Sequence, residues 1–106
     1  ASPRGGAVVA DAYDAAKPYN RDFLGDPKAQ AALAATLPLD PASAGRYAGI
    51  YVIGGKGAMF DLPFSSALQR LVLDIYAGGG VVGAVCHGPA VFARIRDAGG
   101  KPFAMG

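Results

Sequence analysis

The sequence predicts an α/β fold in which parallel strands are covered by helices. Helical and strand patterns alternate along its 106 residues, and such alternation is typical of a parallel sheet with helices on both faces. Two segments are almost continuously apolar, as expected of parallel strands that are buried on both sides. The second of these segments ends on the one cysteine of the chain, and the one histidine follows it directly.

The first third of the chain predicts a strand end, a loop and a helix. Residues 2–6 are typical of a strand that enters a loop, and residues 5–25 show no sustained periodicity. We therefore expect a long irregular loop there. An Asp-Pro pair at 26–27 supplies an N-cap and a first-turn proline for a helix over residues 28–36. The expected apolar anchors of this helix are Leu33 and Leu37.

The middle of the chain predicts a strand, a glycine-rich loop and an amphipathic helix. After a second Asp-Pro start signal at 40–41, residues 47–53 have the pattern of a strand that runs into the glycine loop 54–57. Ser66 and Gln69 fit a capping box, with the serine as N-cap. Apolar residues then recur at helical spacing and form one expected buried face: Leu68, Leu71, Val72, Ile75 and Tyr76.

The last part of the chain predicts a second strand and a further helix. Glycines at 78–80 end the amphipathic helix, and residues 81–85 form the second strand. A helix is expected over residues 89–97, with Val91, Phe92 and Ile95 on its buried side. Residues 101–106 resemble the start of another strand. Both ends of the chain are thus expected to be cut, so that residues 1–106 form a single partial domain.

The junction between the second strand and the last helix carries the chemistry. Cys86, His87, Gly88 and Pro89 have the layout of a nucleophile elbow, a sharp strand-to-helix turn that exposes one reactive side chain. A helix N-terminus at this point would favour a thiolate, and the backbone N–H of His87 would serve as an oxyanion donor. The alternative is an inert, buried core cysteine. Whether the His87 side chain faces the thiol stays open on local grounds.

The glycine loop is expected to lie beside this elbow. Both follow predicted parallel strands, and ligands collect beyond the carboxyl ends of such strands. Neither a dinucleotide-binding nor a P-loop motif is present, which argues against nucleotide binding. The glycines either let the backbone approach the nucleophile or serve a tight turn, and the two interpretations are compatible.

Composition excludes several other classes of protein. With 52% hydrophobic and 17% charged residues, extended disorder is not expected. A net charge of +2 with scattered basic residues does not indicate nucleic-acid binding. No apolar run is long enough for a membrane span, and no signal-peptide pattern is present. A single cysteine excludes an internal disulfide and suits a reducing, cytoplasmic compartment.

Residues 54–63 and 84–89, with the capped helix between them, resemble one family. It is the heat-shock chaperone and glyoxalase III branch of the class I glutamine-amidotransferase-like superfamily, which includes the parkinsonism-associated deglycase and intracellular peptidase-like proteins. The resemblance implies a flavodoxin-like three-layer sandwich, a homodimer and no cofactor or metal. It further implies Cys86 as nucleophile, His87 as its catalytic partner, and oxyanion-binding N–H groups at Gly55 and His87.

The activity implied by the resemblance is the glutathione-independent conversion of methylglyoxal, a small α-oxoaldehyde, to lactate through a hemithioacetal on Cys86. Lys56 and Gly57 are further candidates for substrate binding, although many relatives have histidine where this chain has Lys56. The first-strand glutamate and the carboxylate that orients the histidine in relatives have no matching position here. The alternatives are a redox-sensing stress chaperone that holds unfolded client proteins, a protein deglycase-like module, and an inactive fragment. Amidotransferase and peptidase activities fit the residues less well.

Overall fold

The computed structural model describes residues 5–7 and 13–104 of the chain, which divides into two compact units, one up to Leu39 and the other from Asp40. In the first unit, helix α1 (Pro18–Gly25) contacts helix α2 (Pro27–Ala34). Gly6 and Thr36 exchange backbone hydrogen bonds of 3.1 and 3.3 Å in an antiparallel bridge. The predicted strand end at 2–6 lies mostly outside the described residues.

Helix α1 corrects the prediction of an irregular loop over residues 5–25. None of its residues is buried, so the sequence carries no apolar periodicity by which to recognise it. The turn before it is fixed instead by polar contacts, because the Asp14 carboxylate accepts from the backbone N–H of Ala16 and the Asp14 carbonyl accepts from the Asn20 side chain. Pro18 then occupies the first turn, where a missing N–H costs nothing.

Helix α2 begins where the sequence indicated and ends two residues early. The Asp26 carboxylate accepts a hydrogen bond of 2.8 Å from the backbone N–H of Lys28, which confirms the predicted N-cap. The predicted anchors are wrong, because Leu33 is only partly covered and Leu37 is 74% exposed. Local capping therefore defines this helix more than burial does.

The second unit is built on two parallel strands, β1 (Gly49–Val52) and β2 (Val81–Ala84), with Gly49 opposite Val81. The parallel pairing confirms the predicted sheet type. The other elements of this unit follow in chain order: a 3₁₀ helix Pro41–Arg46, α3 (Ala58–Asp61), a 3₁₀ helix Leu62–Phe64, α4 (Ser66–Ala77) and a 3₁₀ helix Gly88–Arg94. None of the helices within the described ranges is long and apolar enough to cross a membrane.

The core of this unit forms where α4 packs on both strands and on the helices that flank them. Its buried apolar side chains come from β1 and from the helices or their ends: Ala44, Val52, Ala58, Leu68, Leu71, Val72, Ile75, Val91 and Ile95. Tyr76 was predicted on the buried face but is 61% exposed. Its ring instead meets Phe103 edge to face at 5.2 Å, at the rim of the core.

In this chain the two strands are covered on one face only, whereas their continuous apolar pattern predicted burial on both faces. Side chains alternate between the faces of a strand, and Val52 is buried while Tyr51 and Val81 are more than 60% exposed. Exposed Tyr51 lies over Gly83 of the neighbouring strand, since a Cβ at Gly83 would contact its ring. A sequence pattern records which residues are apolar and not which of them are covered.

Helix α4 is capped by Ser65, one residue before the predicted N-cap Ser66. The Ser65 hydroxyl accepts from the backbone N–H of Leu68. Gln69 does not close a capping box, because its side-chain amide donates instead to the Pro63 carbonyl at 2.7 Å. The cap shifted because two serines stand in tandem and only the first has the extended conformation of a cap residue.

Replacing Ser65 with alanine is expected to lower the free energy of unfolding by about 1 kcal/mol, since an orphan N–H of the first turn loses its acceptor. Ser66→Ala is the matched control and should change stability by less than about 0.5 kcal/mol. Chemical denaturation of both variants checks this expectation. A larger loss in Ser66→Ala than in Ser65→Ala would contradict the assignment of the cap.

The segment after β2 also corrects the prediction. A 3₁₀ helix over Gly88–Arg94 replaces the expected α-helix over residues 89–97. Of the three residues predicted on its buried side, Val91 and Ile95 are buried and Phe92 is half-buried. The helix ends early because the Asp97 carboxylate holds a tight turn through N–H groups of Gly99 and Lys101. The expected C-terminal strand is limited, among residues up to 104, to one bridge between Arg96 and Pro102.

Candidate active site

A sharp turn forms where the sequence placed the elbow. Cys86, which follows β2 by two residues, has φ of 57°, and no other residue except glycine in the described ranges has a positive φ. This left-handed conformation costs a non-glycine residue about 1–3 kcal/mol. The turn is closed by a hydrogen bond of 2.9 Å from the backbone N–H of Gly88 to the Val85 carbonyl. The backbone is thereby bent so that the Cys86 side chain is exposed.

The exposed thiol lies against the neighbouring imidazole. The Sγ atom of Cys86 is 3.2 Å from Nδ1 of His87, and both residues are exposed. Adjacent residues in a turn do not always face each other, so the sequence left the existence of this contact open, and the structure establishes it. Exposure argues against an inert core cysteine, and the contact places a proton acceptor beside a nucleophile.

The glycine loop lies in direct backbone contact with the elbow. The β1–β2 pairing extends one step further through a hydrogen bond of 3.1 Å from the Val85 N–H to the Val52 carbonyl. Beyond it, a Cβ placed on Gly54 would lie 2.5 Å from the backbone nitrogen of His87. The expectation that the two loops meet at one edge of the sheet is therefore confirmed.

The other predicted residues of the glycine loop, Gly55, Lys56 and Gly57, follow Gly54 directly in the sequence. Gly55 has φ of 108°, which favours glycine, and its carbonyl accepts from the Ala58 N–H at 3.1 Å. Lys56 is exposed, and in the described part of the chain its side chain forms no hydrogen bond or ion pair. Gly57 is the N-cap residue just before α3, and a Cβ placed on it would lie in open space.

Sequence reasoning allowed the glycine loop as a whole to approach the nucleophile, and the structure places that approach at Gly54, the first glycine after β1. One feature was missed, an apolar surface formed by Met59, Phe60 and Phe64, which are 48%, 82% and 61% exposed. The Arg94 guanidinium lies 4.3 Å from the centre of the Phe64 ring in a cation–π contact.

No acidic residue in the described part of the chain is bonded to the imidazole. All eight acidic residues of the sequence are aspartates, and within residues 5–7 and 13–104 none forms a hydrogen bond or ion pair with His87. The one ion pair found in these ranges joins Arg70 and Asp74 on α4 at 2.7 Å. The hydrogen bond that Arg70 donates to Asp74 and, second in size, the Coulombic attraction of Asp74 raise the pKa of the Arg70 guanidinium. The same ranges contain no cluster of potential metal ligands.

The fold and the site define a protein of the cysteine-elbow class. Its features are a parallel α/β unit, an exposed cysteine on a strained turn, and an imidazole at hydrogen-bonding distance. Comparison with known proteins is more specific. The profile of the DJ-1/PfpI family matches residues 9–104, and this chain belongs to that family. The predicted superfamily and its flavodoxin-like α/β class are thereby confirmed.

Several curated relatives share one kind of name. A glutathione-independent glyoxalase of Saccharomyces cerevisiae is 46% identical over 57 residues, which cover 53% of this chain and 24% of the relative. Glyoxalase 3 of Candida albicans is 45% identical over 53 residues, which cover 49% of this chain and 22% of the relative. The matched segment thus spans about a quarter of these relatives.

Solved structures match a larger part of the chain. The Rapid Encystment Protein of Francisella tularensis superposes with a TM-score of 0.79 and 32% identity, over 93% of this chain and 45% of that one. Glyoxalase III of Candida albicans superposes with a TM-score of 0.70 and 30% identity, over 85% of this chain and 39% of that one. The chain therefore has the fold of somewhat less than half of each structure.

Proposed function

We propose that these residues form the nucleophile-bearing part of a glutathione-independent glyoxalase that converts methylglyoxal to lactate. The observation that carries the proposal is the exposed Cys86 thiol on a positive-φ turn, 3.2 Å from Nδ1 of His87. Relatives that are 38–46% identical over 53–57% of this chain, and are named as glutathione-independent or probable glutathione-independent glyoxalases, support it. Glyoxalase activity without glutathione requires the protein to supply the thiol, and this chain has one cysteine.

The reaction balances with water as the one co-reactant. The Cys86 thiolate adds to the aldehyde carbon, and the alkoxide that forms takes up a proton to give a hemithioacetal. That carbon then loses its hydrogen as a proton while the adjacent ketone carbon gains one, and the hydroxyl proton moves to the ketone oxygen, which produces a thioester of lactate. Water attacks the thioester, the carbon–sulfur bond breaks, and lactate leaves as the thiolate is restored. No external oxidant or reductant is needed.

In this proposal His87 accepts the thiol proton at Nδ1, and backbone N–H groups bind the developing oxyanion. The donors are the N–H groups of Gly55 and His87, which belong to the two loops that touch at Gly54. Backbone donors held in place by packed loops stabilise an oxyanion without reorganisation during the reaction. The proposed assembly requires neither a metal nor a cofactor.

The direct test is lactate formation from methylglyoxal by the complete purified protein, with no glutathione present. We expect turnover that is linear in protein concentration and unchanged when glutathione is added. D-lactate is measured with a stereospecific dehydrogenase, which also establishes the stereochemistry of the product. Failure to form lactate, or a requirement for glutathione, would contradict the proposal.

Lys56 is proposed to bind the substrate oxygens or the product carboxylate, because it follows by two residues the point at which the glycine loop touches the elbow. Its ammonium group is exposed and has no ion-pair partner in the described part of the chain. A hydrogen bond to a charged group contributes about 1.5–3 kcal/mol. Lys56→Ala is therefore expected to raise KM about tenfold and to change kcat less than about threefold.

The control for this variant is Lys101→Ala, which removes a second exposed lysine of the same unit and should leave KM unchanged. Lys56→Arg keeps the positive charge and should stay within about threefold of the unaltered protein. Steady-state kinetics of the three variants measure both constants. An unchanged KM in Lys56→Ala would assign the side chain to the solvated surface.

A second candidate function is a redox-sensing stress chaperone, and the apolar surface of Met59, Phe60 and Phe64 favours it. Exposed apolar patches bind partner or client proteins, and an exposed thiolate is open to oxidation. The same surface is available to a second copy of the chain, in agreement with the proposed homodimer. A single cysteine suits the reducing cytoplasm, which we propose as the compartment.

A further inference from the structure

We infer that Gly54 is a positioning residue, whose backbone packs against the Cys86 turn and keeps the turn in its conformation. This inference rests on the proposed function, and it concerns a residue that does not touch the substrate in that proposal. A Cβ on Gly54 would meet three backbone atoms of the elbow, at 2.9 Å from the Val85 oxygen, 2.5 Å from the His87 nitrogen and 2.9 Å from the Gly88 nitrogen. No other glycine of the described ranges is enclosed by the elbow on three sides in this way.

Two of these three atoms are the acceptor and the donor of the hydrogen bond that closes the turn, from the Gly88 N–H to the Val85 carbonyl. The third belongs to His87, whose ring contacts the thiol. A methyl group at position 54 would therefore press on the bond that holds Cys86 at its positive φ. The neighbouring atoms are backbone atoms and cannot rotate away as a side chain would.

The segment after β1 and the elbow pack closely at two positions, Gly54 and Gly88. A Cβ on Gly88 would in turn overlap the Val52 carbonyl oxygen, which lies at the end of β1. The end of β1 and the elbow are thus interlocked through two positions that lack a Cβ. Because the left-handed conformation of Cys86 is unfavourable by itself, the turn depends on this contact to stay in the geometry that brings Sγ to Nδ1.

Gly54→Ala is expected to lower kcat about 100-fold with KM within about threefold, since a displacement of about 1 Å at a reacting group has an effect of this size. The rate of alkylation of Cys86 by iodoacetamide at pH 7 should fall about tenfold, because the thiol loses its contact with the imidazole. The second readout does not depend on the reaction. If the unaltered protein forms no lactate, the proposed function fails while alkylation still tests the role of Gly54.

Two glycines of the same unit supply matched controls. Gly49 also lies in close contact with backbone of the neighbouring strand, as a Cβ there would be 2.8 Å from the Val81 oxygen, but at the opposite end of the strand pair. Gly49→Ala should lower the melting temperature and leave kcat and the alkylation rate unchanged. Gly45→Ala fills open space in the 3₁₀ helix that precedes β1 and should change none of the three.

The positioning role is overturned if Gly54→Ala keeps the kcat and alkylation rate of the unaltered protein, or if Gly49→Ala reduces both to the same extent. If Gly54→Ala does not fold, amide hydrogen exchange in the unaltered protein tests whether the turn is held closed. The Gly88 N–H should then exchange at least about 10³-fold more slowly than in the unfolded chain, as expected of a supported turn. Exchange at the unfolded rate would equally overturn the inference.

Discussion

Cys86→Ala is expected to reduce lactate formation about 10⁴-fold or more in the complete protein. The proposed reaction passes through a carbon–sulfur bond to this residue, which is the one cysteine of residues 1–106. Removing the nucleophile of comparable enzymes leaves only the contribution of binding and of the oxyanion donors. The measurement is the initial rate of D-lactate formation at saturating methylglyoxal.

Cys86→Ser is the control for shape, because it keeps a side chain of similar size at the positive-φ position. It should fold as the unaltered protein does and retain a small residual rate. Protection of an unfolded client by Cys86→Ala, with negligible aldehyde turnover in the unaltered protein, would favour the chaperone instead. Lactate formation that is unaffected by Cys86→Ala would exclude the proposed mechanism.

Gly88→Ala is expected to have the largest effect on stability together with a loss of activity. Gly88 is buried, and a Cβ there would overlap the carbonyl oxygen of Val52 and lie 3.0 Å from its carbonyl carbon. That oxygen also accepts the hydrogen bond from Val85, so the end of β1 cannot move away without losing it. Overpacking of this kind costs about 3 kcal/mol.

The control is Gly45→Ala, because Gly45 has open space where the methyl group would lie and has no positive φ. Chemical denaturation should show the loss of stability in Gly88→Ala alone. We expect the activity of Gly88→Ala to fall about 100-fold at a temperature at which it remains folded. Equal stability of the two variants would contradict the interlocked arrangement of β1 and the elbow.

Much of the second unit could be predicted from the sequence. The apolar stripe of α4 predicted Leu68, Leu71, Val72 and Ile75 as core residues, and all four are buried. Such a stripe is readable because helical periodicity and burial coincide when a helix packs on one side. The prediction was wrong for Tyr76, which lies at the edge of the stripe, is 61% exposed and meets Phe103 with its ring.

The first unit and the helix ends were less predictable for physical reasons. Helix α1 buries nothing and is held by Asp14, Pro18 and Asn20, so its pattern resembles that of a loop. The two tandem serines before α4 have the same chemistry, and only backbone conformation selected Ser65 as the cap. The last helix has 3₁₀ geometry, in which backbone hydrogen bonds span three residues, and the spacing of its apolar residues does not distinguish it from an α-helix.

For the site itself, the sequence by itself determined where the reactive turn lies. An apolar strand that stops at Cys86 and is followed by His87, Gly88 and Pro89 permits few other backbone paths, and the glycine loop had to end at the same edge of a parallel sheet. Only the tertiary structure decided that the imidazole lies 3.2 Å from the thiol and that Gly54 presses against the turn. Those contacts depend on side-chain rotation and on the spacing of two strands about 30 residues apart in the chain, and such quantities are set by packing rather than by local residue preference.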